Sequence, residues 1–188
     1  MTWTKLGNIS PLYNGVTVVA GDIAVMAGWP GAEAAGYPDD EHELDAGSVS
    51  VFDLNLLCPT VFTDGRCVRL LASPDGKGTE NVDDATIAAA LDASVSMEPS
   101  WSFEVEHGAM VLTCADCATP AEGANAEDPK QPSIPKTVPA EAVRRGKTMV
   151  VIPCVNGVYE VSRPTKLEAK HRTFDVLLQI TIRLAESD

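Results

Sequence analysis

The sequence predicts an α+β fold that is mainly antiparallel β: a twisted sheet or sandwich of about eight strands with one helix packed on it. Three observations point there. From Thr173 to Leu184, Phe174, Val176, Leu178, Ile180, Ile182 and Leu184 occupy every second position, the period of a strand with one apolar face. At about 3.3 Å per residue this stretch would span about 40 Å, and it needs partner strands and a cover to bury that face. Asn156-Gly157 sits between two β-branched runs, the strongest two-residue hairpin signal because both positions tolerate positive φ. Helical periodicity, by contrast, is clear only once, at Ala85–Ala93.

In chain order, Leu12–Gly28 is apolar and β-branched, and Gly21-Asp22 divides it as a type II′ turn would divide a hairpin. Trp29-Pro30-Gly31 ends it. The segment from Ala32 to Gly47 carries Glu33, Asp39, Asp40, Glu41, Glu43 and Asp45 and reads as an exposed acidic loop. Ser48–Leu57 alternates as a strand whose apolar face shifts near Asp53, and Pro59 closes it. Cys67–Ala72 is a short strand, and Ser73–Gly78 has the composition of a turn. Asp83 or Asp84 can then cap the helix, with Ile87 and Leu91 on one face. Trp101–Glu106 alternates, His107-Gly108 turns, and Ala109–Cys114 returns, which predicts another hairpin. Ala118–Pro139 is rich in Ala, Pro, Glu and Lys and reads as a mobile surface insertion in an otherwise single domain of residues 1–188. Thr148–Val155 and Val158–Ser162 flank the Asn-Gly turn. Pro153, which lacks an amide donor, belongs at a bulge or an edge.

Composition narrows the function classes. Lys and Arg number 14 against 27 Asp and Glu, for a formal net charge of −13. That field repels phosphate backbones, which disfavours nucleic acid, and favours encounter with a basic partner. No apolar run approaches the roughly 20 residues of a membrane span. The first residues lack the pattern of a signal peptide, and five cysteines suit free thiols better than a disulfide framework. The expectation is a cytoplasmic protein with no membrane role.

Candidates for chemistry are weak. Cys114-Ala-Asp-Cys117 has the spacing of a metal-ligand or redox pair, but Cys58, Cys67 and Cys154 are scattered singly and supply no second pair. His42, His107 or His171 could pair with a cysteine, yet no local signature marks a nucleophile, and no G-x-S-x-G or glycine-rich phosphate loop occurs. No catalytic, cofactor or metal residue is therefore assigned. Asp39-Asp40 and Asp83-Asp84 read as a solvated loop and a helix cap. The candidate partner-binding residues are Trp29, Tyr37, Asp39, Asp40, Glu41, Glu43 and Asp45: clustered carboxylates with two aromatics that could act as anchors.

Several pieces of the chain resemble bacterial polymorphic-toxin immunity proteins, in particular the immunity protein 21 family. They are Trp3, Trp29-Pro-Gly, Tyr37-Pro-Asp-Asp, Cys67-Val-Arg-Leu, the helix before Trp101-Ser-Phe-Glu-Val, Gly108-Ala-Met-Val-Leu and Asn156-Gly-Val-Tyr-Glu-Val. Departures exist: Gly7-Asn-Ile-Ser-Pro-Leu stands where the family has Gly-Gly-Pro-Leu, and Thr113-Cys114 where it has Phe-Asp. The resemblance implies a cytoplasmic, non-enzymatic protein that binds and silences a cognate toxin, and it implies no catalytic residues. A basic toxin cleft would suit the acidic chain. A phage or viral structural component and a small hydrolase with a Cys/Ser–His site stay open as alternatives.

Overall fold

The computed structural model describes residues 2–9, 17–29, 41–44, 47–53, 59–72, 79, 82–93, 95–114, 143–145, 149–165 and 175–182. The elements in these residues are β1 (Thr4–Asn8), β2 (Thr17–Asp22), α1 (Ile23–Met26), β3 (Glu41–Leu44), β4 (Gly47–Asp53), β5 (Thr60–Thr63) and β6 (Cys67–Ala72). They continue with α2 (Asp84–Asp92), β7 (Met97–Val105), β8 (Ala109–Cys114), β9 (Val143–Arg145), β10 (Met149–Pro153), β11 (Gly157–Pro164) and β12 (Asp175–Ile182). One six-stranded sheet has the order β1-β5-β6-β12-β11-β7, and a second has β3-β4-β2-β8-β10-β9. Every recorded pairing is antiparallel. The mainly antiparallel α+β class stands, with more strands than expected, because β1, β3, β5 and β9 are too short for their alternation to register.

The sheets face each other across a core that includes Val18, Leu70, Phe103, Leu112, Val161 and Ile180. Their outer faces are covered as well. Val19, Val111 and Val151 pack beneath α1 and Trp29, and Phe62 and Leu71 pack beneath Ile87 and Leu91 of α2. Burial on both faces explains why β8 (Ala-Met-Val-Leu-Thr-Cys) and β10 read as continuous apolar runs rather than alternating ones.

The helix forms where predicted. Asp83 is its N-cap and accepts from the Thr86 amide at 2.9 Å and the Thr86 hydroxyl at 2.7 Å. Its C-terminal end is held from the sheet. The Arg69 guanidinium donates to the Leu91 carbonyl and, at 2.9 Å, to Gln179 Oε1, and it lies 5.4 Å from the centroid of the Trp3 ring. Trp3 Nε1 in turn donates to Asp92 at 2.8 Å. A cation at the carbonyl end complements the helix dipole, which the helix's own last turn does not do.

Three strand-level expectations are corrected. Gly21-Asp22 makes no hairpin: both residues remain in β2, and Ile23–Met26 is a helical turn. The Asp22 side chain accepts from the Ala24 amide at 2.7 Å and starts that turn, which buries Ile23, Val25 and Met26. The other two hairpins are arches between sheets. β7 pairs with β11 and β8 with β10, so Glu106–Gly108 and Cys154–Asn156 each carry the chain from one sheet to the other. Adjacent arches satisfy each other's backbone groups, which independent hairpins would not do. Gly108 N donates to Asn156 Oδ1 at 2.9 Å, Asn156 Nδ2 donates to Glu106 O at 2.6 Å, and Cys154 N donates to Gly108 O at 2.9 Å. Gly108 (φ 72°) and Gly157 (φ 151°) hold conformations that L side chains rarely adopt.

The final strand is central, between β6 and β11. Ile180 is 1% exposed, opposite Val68 on one side and Val161 on the other. The alternation is interrupted, however. A register shift between Val176 and Leu178 sets Leu178 opposite Leu70 of the inter-sheet core and Val176 opposite Leu71 of the helix-covered face. The predicted insertion at 118–139 lies outside the described residues.

Candidate functional site

The acidic segment is partly a strand rather than a loop. Glu41 and Glu43 occupy alternate positions of β3, in register with Ser50 and Ser48 of β4. Among the described residues β3 ends its sheet, so one of its backbone edges has no neighbouring strand. An edge strand rich in charge resists unspecific strand pairing. Tyr37, Asp39, Asp40 and Asp45 lie outside the described residues. Trp29 was expected as a partly exposed anchor, and the structure corrects this. Its ring is 0% exposed, in the cluster with Val19, Met26, Val111 and Val151. The physical reason is α1: a single turn covers little of the outer sheet face, and the indole completes the cover.

The polar group that organises the arches is Asp22, which is 1% exposed. Its carboxylate accepts from the Ala24 amide and, at 2.9 Å each, from the Glu106 and His107 amides. His107 Nδ1 also lies 2.9 Å from Asp22 Oδ1, so its Nδ1–H tautomer donates to the same carboxylate. Burial opposes ionisation here, but the His107, Glu106 and Ala24 amides and the His107 ring outweigh it and hold the Asp22 carboxyl below its ordinary value. The His107 side chain is 55% exposed. This Asp–His pair clasps a turn, and its geometry joins the N-terminus of α1 to the β7–β8 arch.

Beside the arches lies a cleft of about 760 Å³ between the two sheets. Val68, Met110, Ile152, Tyr159 and Ile180 line it, with Cys67 of β6 and Cys154 of the β10–β11 arch. The Tyr159 hydroxyl donates to the Val155 carbonyl at 2.8 Å, and its ring stacks on Phe103 with centroids 6.0 Å apart. Burial, with the negative Asp64 nearby, pushes the Cys67 thiol up to about 11, and burial likewise raises Cys154. Both thiols are therefore neutral near pH 7, the opposite of an activated nucleophile. His107 is not among the residues lining the cleft. Cys114 of the C-x-x-C is buried in the inter-sheet core opposite Val18, and Cys117 lies outside the described residues. Among the described residues no group of three or more His, Cys, Asp or Glu side chains is placed to hold a metal, and no helix is long and apolar enough to cross a membrane.

The β5–β6 turn contributes Thr63, Gly65 and Arg66 to the lining of the cleft. Asp64 Oδ1 accepts from the Arg66 and Cys67 amides at 2.8 and 2.9 Å, and Gly65 adopts φ 85°. The turn therefore fixes the backbone that carries Arg66 at the rim. Neither this hairpin nor the cleft was foreseen from the sequence, although Asp64-Gly65 between Val61-Phe62 and Cys67-Val68 is a turn signal of the expected kind. Comparison of the chain with family models, curated proteins and solved structures finds no match.

Proposed function

We propose that this chain is a non-enzymatic immunity protein that binds a cognate bacterial toxin and occludes its active site. The observation that carries this reading is the charge: −13 over 188 residues, with an acidic cluster from Asp39 to Asp45 that contains strand β3. Holding like charges together costs repulsion, and a basic toxin cleft relieves it on binding. The resemblance to the immunity protein 21 family points the same way. On this reading the protein works in the cytoplasm, where it intercepts the toxin, and needs no cofactor.

The test is co-expression with candidate toxins, beginning with any encoded beside the gene for this chain. The expected outcome is restored growth of a toxin-expressing host and recovery of the two proteins as a stoichiometric complex. Continued killing in the presence of folded, abundant protein contradicts the reading. So does toxin breakdown or modification at substoichiometric amounts, since that would be catalysis.

A further inference from the structure

We infer that the cleft between the two sheets binds a medium-chain fatty carboxylate, its tail on Val68, Met110, Ile152 and Ile180 and its head on Arg66. The inference is independent of the toxin reading. A volume of about 760 Å³ lies in the range of small-molecule sites, which are concave and mostly apolar with a few placed polar groups. The lining includes core side chains from both sheets, so the floor of the cleft is apolar.

Chemistry at the rim selects the ligand class. Val155, 66% exposed, sits at the lip and offers apolar surface to an entering chain. Arg66 is the charged residue in the lining, and its guanidinium has no recorded partner among the described residues. Asp64, its neighbour, is turned to the Arg66 and Cys67 amides instead. Thr63 is engaged within the turn, accepting from Gly65 N and donating to Cys67 O. A planar guanidinium beside an apolar cleft matches a carboxylate, which it can bind with two parallel hydrogen bonds.

The experiment is calorimetric titration of the full chain with dodecanoate, beside dodecyltrimethylammonium as a cation with the same tail. Saturable one-to-one binding of dodecanoate is expected, with at least about tenfold weaker binding of the cation. Arg66→Ala should weaken dodecanoate about tenfold or more and Arg66→Lys less, because a hydrogen-bonded charge pair is lost in the first and partly kept in the second. Arg66 is exposed, so both variants should fold. A readout without mutation is alkylation of Cys67 and Cys154 by N-ethylmaleimide, followed by peptide mass spectrometry. Dodecanoate should slow both, whereas the cation should not. No saturable binding, equal binding of the two amphiphiles, unchanged affinity in Arg66→Ala, or unprotected cysteines would each overturn the assignment.

Discussion

At the residue scale, the side chain with the most structural consequence is Asp22. It caps α1, holds two amides of the β7–β8 arch and meets His107, all from a buried position. Asp22→Ala leaves those donors without an acceptor and should destabilise the fold by about 2–4 kcal/mol. The pH dependence has a definite sign. The folded carboxyl titrates below its ordinary value of 3.8, so its contribution is full above that pH and is lost as pH falls through the folded value. Asp22→Asn should therefore be less stable near neutrality and lose less stability on acidification, as measured by urea denaturation at a series of pH values. Parallel pH profiles for variant and wild type would contradict this. Asp22 was not legible as a site in the sequence. Gly-Asp between apolar runs reads as a turn, and nothing local reveals that the partners lie 84 and 85 residues away.

At the element scale, local signals in the sequence decide some elements and not others. Asp83, Ile87 and Leu91 define α2 by capping and spacing alone, and Cys67–Ala72 is the strand expected. The hairpins failed for one reason. Alternation and turn residues mark where the chain reverses, but they do not say whether the returning strand pairs with its predecessor or crosses to the facing sheet. Asn156 spends its side chain on Gly108 and Glu106 of the neighbouring arch, a contact 48 and 50 residues distant. The bulge between Val176 and Leu178 escaped for a similar reason, since both faces of the first sheet are covered and apolar residues fit on either. Ile180 remains the firm core position of the last strand. Ile180→Ala should cost about 2–5 kcal/mol, more than Thr181→Ala on the same strand. The reverse ranking in denaturation would mean that the strand's faces are assigned wrongly.

At the scale of the whole molecule, several polar groups among the described residues serve the fold. Asp22, Arg69 and Asn156 are engaged in holding elements together, and the Cys67 and Cys154 thiols are neutral. Charge was fully legible in the sequence, because net charge is a sum over residues. The burial of Trp29 was not, because an indole beside a Pro-Gly reads as a loop anchor until the sheet face it covers is known. The structural correction removes Trp29 from the candidate binding surface and leaves Tyr37 and the carboxylates to carry it. The central claim is that those carboxylates steer a basic toxin to this protein. Its most direct test is the association rate of wild type and the Asp39→Asn, Asp40→Asn, Glu41→Gln triple variant with a toxin captured by pull-down, at two salt concentrations. The account predicts association at least about threefold slower for the variant at low salt, little change in dissociation, and a weaker salt dependence than the wild type. Equal association rates at low salt, with the variant folded, would contradict it.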